Sequence, residues 1–133
     1  MSIVFVDTVG LLALWDESDQ WHQSAADAFQ RIRTDRQRIL TSSYVLLECS
    51  NAAARRPYRE QVDRLRLTLE AGKRLVFPSS EDWQSAWNSF RAGDLGAPGV
   101  VDLTSFAVMR RLGIRQAFTN DRHFKAAGFD TLF

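Results

Sequence analysis

Short apolar runs alternate with helical stripes along this chain. Ile3-Val4-Phe5-Val6 is apolar and rich in β-branched residues, which predicts a fully buried strand. Thr8 to Trp15, with Val9, Leu11, Leu12, Leu14 and Trp15, predicts a helix. Asp16 to Gln20 is a polar break. From Trp21 to about Arg33, the residues Ala25, Ala28, Phe29 and Ile32 recur at helical spacing, as on an amphipathic helix. Arg38 to Thr41 predicts a second strand. Ser42 or Ser43 can cap the next helix, which runs to about Arg55, because a short hydroxyl side chain accepts a free helical N–H. Pro57 ends that helix or opens another, and Gln61 to Ala71 predicts a further helix with Gly72 as its cap.

Arg74 to Phe77 predicts a third strand, closed by Pro78. Ser79 or Ser80 can cap a helix from near Glu81, on which Trp83, Trp87 and Phe90 share one stripe. That stripe reads first as core packing, with a cofactor or partner surface as the other reading. Gly93 to Gly99 is a turn-rich loop. Val101 to Leu112 predicts a helix stopped by Gly113, Gln116 to Thr119 a fourth strand, Arg122 to Ala126 a helical turn, and Gly128 to Leu132 a last short strand. Strands thus alternate with helices, apart from a helical hairpin between the second and third. The expected fold class is α/β, with a parallel sheet covered on both faces. No repeat, low-complexity tract or linker divides residues 1–133, so one domain is expected.

Composition narrows this little. A chain of 133 residues, 45% hydrophobic and 25% charged, can bury a proper core without disulfides. Cys49 is the lone cysteine, which excludes a disulfide framework and a cysteine-based zinc site; it reads as a small buried helix residue. The N-terminus lacks a basic start and Asp7 breaks its apolar run, so no signal peptide or membrane span is expected, and the chain reads as cytoplasmic. Net charge is +1. Arginine carries most of the positive charge, and it suits phosphate contacts, although most single arginines serve only to solvate helix faces.

Four acids change the picture. Asp7 closes the first apolar run, Glu48 interrupts Tyr44-Val45-Leu46-Leu47, Asp102 follows Val100-Val101, and Asp121 follows Ala117-Phe118-Thr119-Asn120. A carboxylate in apolar company is costly unless paired, hydrogen-bonded or metal-bound. Each has an ordinary explanation alone. Asp7, Asp102 and Asp121 can cap helices, and Glu48 can face solvent. All four, however, fall at the carboxyl end of the expected sheet, where open parallel sheets bind ligands. Two carboxylates about 4 Å apart repel by about 4 kcal/mol at an effective dielectric near 20. A divalent cation relieves that repulsion, and oxygen-only donors suit Mg²⁺ (or Mn²⁺) better than zinc. Such an ion activates water and offsets charge on a phosphate, which points to metal-dependent phosphodiester cleavage. A basic rim around the acidic centre would hold the phosphate backbone.

The ordered set of Asp7 after a strand, Glu48 in a helix, Asp102 opening a helix, and Asp121 within Thr119-Asn120-Asp121-Arg122-His123-Phe124 resembles the PIN-domain nucleases. The nearest group is the VapC-like toxins of type II toxin–antitoxin systems. The resemblance spans Ile3 to Phe133. It implies a three-layer α/β/α fold and a Mg²⁺- or Mn²⁺-dependent endoribonuclease whose catalytic and metal-holding residues are Asp7, Glu48, Asp102 and Asp121. It also implies an RNA substrate, a homodimer, and a small antitoxin whose C-terminal segment crosses the active-site groove. Many members carry a polar residue shortly after the first aspartate. Here Thr8 can serve, whereas Val9 and Gly10 cannot. Thr119 and Asn120 would support the last acid. His22 and His123 are candidates for acid–base work, with His22 reading rather as a helix-surface residue. An antitoxin-independent PIN ribonuclease of RNA processing, or a non-catalytic RNA- or protein-binding module on this fold, are the alternatives.

Overall fold

The computed structural model describes residues 2–133. Five strands form the sheet: β1 (Ile3–Val6), β2 (Arg38–Ser42), β3 (Leu75–Val76), β4 (Gln116–Phe118) and β5 (Asp130–Thr131). Their order is β3-β2-β1-β4-β5, and every pairing is parallel. Val4, Phe5 and Val6 are buried in succession on central β1. Adjacent strand residues point to opposite faces, so both faces are covered, as the continuous apolar run requires. The helices are α1 (Thr8–Trp15), α2 (His22–Thr34), α3 (Ser43–Ala53), α4 (Arg59–Ala71), α5 (Ser80–Ala92), α6 (Val100–Leu112) and α7 (Arg122–Ala126). They flank the sheet in the expected α/β/α arrangement, with α3 and α4 as the helical hairpin. Among the described residues, no helix is long and apolar enough to cross a membrane.

The order reverses at β1. The chain steps outward from β1 through β2 to β3, then returns to β4 on the other side. The register sets Val6 beside Phe118, so Asp7 and Thr119 leave adjacent strand ends together. This is the switch point of the sheet, where departing chains open a crevice. Gly10 lets α1 lie directly on β4, since a Cβ there would stand 2.8 Å from the Phe118 carbonyl carbon and closer still to its oxygen. Thr41 Oγ1 donates to the Val6 carbonyl (2.6 Å) and ties β2 to the end of β1.

Several boundaries follow their local chemistry. Ser42 Oγ accepts from Val45 N and caps α3. Ser79 and Asp82 form a reciprocal capping box on α5, the arrangement that satisfies two free N–H groups at once. Gly113 ends α6 at φ 69°, in the left-handed region that glycine enters without penalty. At the end of α4, Gly72 stays right-handed (φ −87°) and Lys73 takes the left-handed turn (φ 56°).

Two expectations need correction. Asp102 does not open α6. Gly99 is the cap and Asp102 sits in the first turn, because the helix starts as soon as Pro98-Gly99 ends the loop. Nor are Trp83, Trp87 and Phe90 core residues; they are 47%, 38% and 47% exposed. Only Asp82 and Ala86 of α5 are buried. Asp82 pairs with Arg111 of α6 through both carboxylate oxygens (3.1 and 2.7 Å). That pair and the small Ala86 set the inner face of α5 and turn the aromatic stripe outward.

Candidate metal centre

Asp7, Glu48, Asp102 and Asp121 line one cleft of about 380 Å³, together with Thr8, Val9 and Asn51. Each acid comes from a different element. β1 ends by delivering Asp7 to the crevice. Glu48 stands on α3, one turn after Tyr44. Asp102 stands in the first turn of α6, near the partial positive charge of the helix N-terminus. Asp121 caps α7, its Oδ1 accepting from His123 N (2.8 Å).

Hydroxyls hold two of these acids. Thr8 Oγ1 donates to Glu48 Oε1 (2.7 Å). Thr119 Oγ1 donates to Asp7 Oδ2 (3.0 Å) and accepts from Asp121 N (3.1 Å). Thr119 is fully buried and so fixes Asp7 and Asp121 relative to each other. Asp7 sits at the N-cap position of α1, but its side chain makes no capping bond. Capping therefore does not account for its burial. Asn120 follows Thr119 and is half-buried, with no side-chain hydrogen bond to other described residues.

The tightest group is Asp102, Asp121 and His123, each offering a ligand atom within 4.8 Å of the others. Asp7 and Glu48 line the cleft outside that group. His123 Nδ1 lies 3.1 Å from Asp121 Oδ1, and its Nε2 donates to the Gly96 carbonyl (3.0 Å). The ring thus ties the 93–99 loop to the last acid. His22 is elsewhere, with Nδ1 2.9 Å from the Ala13 carbonyl. Asn51, one turn beyond Glu48 on α3, was not singled out in the sequence. Its i, i+3 spacing from Glu48 was the available signal.

The cleft is electrostatically unbalanced. Among the described residues, none of the four acids pairs with a lysine or arginine. Burial raises the Asp7 pKa to about 7, and the charges of Asp102 and Asp121 add to it, against the hydrogen bonds from Thr119 and the Thr8 backbone. Asp102 is raised to about 6 by burial, then by the charges of Asp121 and Glu48. A protein can sustain such repulsion where a cation completes the site. The donor set is carboxylate oxygen with one imidazole, and it fits a hard divalent ion. Cys49 is close by but buried, its thiol pushed up to about 12 mainly by burial, which keeps it protonated and inert.

The arginines do not form a closed rim. Arg56, Arg64, Arg66 and Arg111 are engaged with acids outside the cleft. Arg122 is exposed beside Asp121 and makes no ion pair among the described residues. A larger cavity of about 580 Å³ lies at the opposite end of the strands, lined by Ser2, Ile3, Gln116 and Asp130. It has no acid cluster and sits where parallel sheets rarely bind ligands, so chemistry rather than size identifies the site.

A fold with this switch-point cleft matches the PIN domain family over residues 4–130, and the chain belongs to that family. It is 33% identical over 129 residues to the 23S rRNA-specific endonuclease VapC20 of Mycobacterium tuberculosis, in strains H37Rv and CDC 1551 alike, covering 96% of this chain and 95% of the relative. Among solved structures, the crystal structure of M. tuberculosis VapC20, a sarcin–ricin loop cleaving toxin, superimposes with a TM-score of 0.75 at 31% identity, with 96% of each chain covered. The FitAB complex bound to an IR36 DNA fragment shares the fold at a TM-score of 0.69 and 14% identity, over 96% of this chain and 92% of that one.

Proposed function

We propose that this chain is the endoribonuclease toxin of a type II toxin–antitoxin pair, acting as one PIN domain over residues 1–133. Asp7, Glu48, Asp102 and Asp121 are its metal-holding and catalytic residues. The observation that carries this is the convergence of four carboxylates, from four elements, in one cleft with no lysine or arginine to balance them among the described residues. Mg²⁺ (or Mn²⁺) suits the oxygen donors. When bound, the ion supplies a nucleophilic water and offsets charge developing on the phosphate.

The chain's own residues prepare that chemistry. Thr8 holds Glu48, while Thr119 holds Asp7 and the backbone of Asp121. Outer hydrogen bonds of this kind fix ligand orientation. Arg122 stands beside Asp121, where it can steady an RNA phosphate. The cognate antitoxin would lay its C-terminal segment across the same groove and so exclude the RNA, both meeting the chain in the cytoplasm. The relatives are named for 23S rRNA and its sarcin–ricin loop, which makes that RNA the first substrate to offer.

Purified chain is expected to cut 23S rRNA in Mg²⁺ or Mn²⁺ at discrete sites. Cutting is expected to stop in chelator and to fall by about a hundredfold or more in Asp121→Asn, as when a group acting directly in the transition state is lost. Equal cutting by the wild type and Asp121→Asn would sink the proposal.

A further inference from the structure

We infer that His123 also holds the divalent ion, through Nδ1, and turns the preference of the centre towards Mn²⁺; this rests on the reading of the acidic cleft as a metal centre. The two ring nitrogens have different surroundings. Nε2 lies 3.0 Å from the Gly96 carbonyl. A carbonyl can only accept, so Nε2 carries the hydrogen, and a neutral ring then keeps a lone pair on Nδ1. Nδ1 lies 3.1 Å from Asp121 Oδ1, which is itself an acceptor. Two acceptors at that distance repel unless a cation joins them.

Asp102 decides which cation fits. It offers a third ligand atom, and all three lie within 4.8 Å of one another. A proton joins two partners, whereas a metal ion gathers several. Two ligands at right angles on one ion, each about 2.1 Å from it, stand about 3.0 Å apart, which matches the spacing of Nδ1 and Oδ1. A histidine that holds a metal through one nitrogen commonly donates its other N–H to a carbonyl, as His123 does to Gly96.

Packing sets the three groups in place. Phe124, next to His123, is fully buried and meets Phe106 edge-on, with centroids 4.8 Å apart. Phe106 lies on α6 four residues after Asp102, on the same side of the helix. The Phe106–Phe124 contact therefore fixes α7 against α6, and with it the place of Asp121 and His123 relative to Asp102. The bond to Gly96 adds a second tie, to the loop that leads into α6. The same arrangement argues against acid–base work by His123, because one nitrogen is engaged by Gly96 and the other faces Asp121.

An imidazole donor changes which ion is preferred. Carboxylates accept Mg²⁺ and Mn²⁺ alike, whereas imidazole nitrogen favours transition metals and Mg²⁺ keeps to oxygen. The difference between the two ions therefore reads the nitrogen.

The full chain titrated with Mn²⁺ alone, and then with Mg²⁺ in competition, tests this. Mn²⁺ carries unpaired electrons, so the electron spin echo of the bound ion is modulated by a coordinated nitrogen. The wild type is expected to show nitrogen modulation. His123→Gln is expected to lose it, and His22→Gln to keep it, since His22 is held elsewhere against the Ala13 carbonyl. Glutamine keeps an N–H donor for Gly96 but offers no nitrogen lone pair. The Kd for Mn²⁺ is expected to rise about tenfold or more in His123→Gln, and that for Mg²⁺ to stay within about threefold. Equal weakening of both ions would show a purely structural tie, and equal tightening would show the ring as a resident cation that the metal displaces; either overturns the inference. A wild type that binds Mn²⁺ without nitrogen modulation overturns the assignment of His123 alone and leaves the four acids standing. A wild type that binds no Mn²⁺ overturns the inference and the metal centre together.

Discussion

Replacing Asp7 by asparagine should stabilise the metal-free protein, and by more at high pH than at low. Asp7 is 1% exposed, and its pKa is raised from 3.8 to about 7, chiefly by burial. The folded state therefore keeps the proton that the unfolded chain has already released. The stability this lends is fully present below pH 3.8 and is lost as pH rises towards 7, after which the curve flattens. A difference of one pKa unit between the two states corresponds to about 1.4 kcal/mol, so the whole loss is about 4 kcal/mol. Between pH 5 and pH 8 it is roughly 2–3 kcal/mol. An asparagine at this position cannot ionise, and it still accepts from Thr119, though its new NH₂ needs a partner. That last cost is independent of pH and drops out of the comparison. For a chain of this length each kcal/mol moves Tm by about 3–5 °C. The Tm gain of Asp7→Asn over wild type should thus be about 8–12 °C larger at pH 8 than at pH 5, in chelator, by circular dichroism. Saturating Mg²⁺ should then raise the wild-type Tm and leave the variant nearly unmoved, since ligand stabilises only the state that binds it. A gain that is equal at both pH values would refute the account of Asp7 as a carboxylate strained by burial. A variant that answers Mg²⁺ as the wild type does would refute its part in the metal site.

Thr119→Val removes the hydroxyl that bonds Asp7 and accepts from Asp121 N. Mg²⁺ affinity, read from the Tm rise across a titration, should fall by about tenfold, and the chain should lose about 1–3 kcal/mol from the unpaired N–H. Gly10→Ala gains about 1 kcal/mol of helix propensity but drives its methyl into the Phe118 carbonyl. Forcing α1 off β4 should win, with a net loss of about 2 kcal/mol and a Tm lower by about 6–10 °C; a more stable variant would show that α1 does not rest on β4 there.

Much of the fold was legible because strands on a covered sheet have nowhere to put polar groups. Ile3–Val6 therefore stands out as an unbroken apolar run, and Asp7 stands out as the point where it fails. The strand order was not legible, since parallel pairing leaves no trace in the local pattern. Thr8 could be named from its place beside Asp7. Its bond to Glu48, 40 residues away, could not, because threonine is a common residue and the reach of its hydroxyl depends on how α1 meets α3. Asn51 stayed hidden among other polar helix residues for the same reason.

The aromatic stripe of α5 shows where periodicity stops informing. Spacing identifies a face, and residue type says that the face should leave water. Neither says whether the covering surface belongs to the same chain. Trp83, Trp87 and Phe90 satisfy the pattern of a core helix, yet the inner side of α5 is set by Asp82 and Ala86 and by the pairing of Asp82 with Arg111. That pairing is polar and local, and a helix gains most of its stability from burying an apolar face. Even with its large residues outward, α5 packs along α6 more extensively than any other two elements pack together.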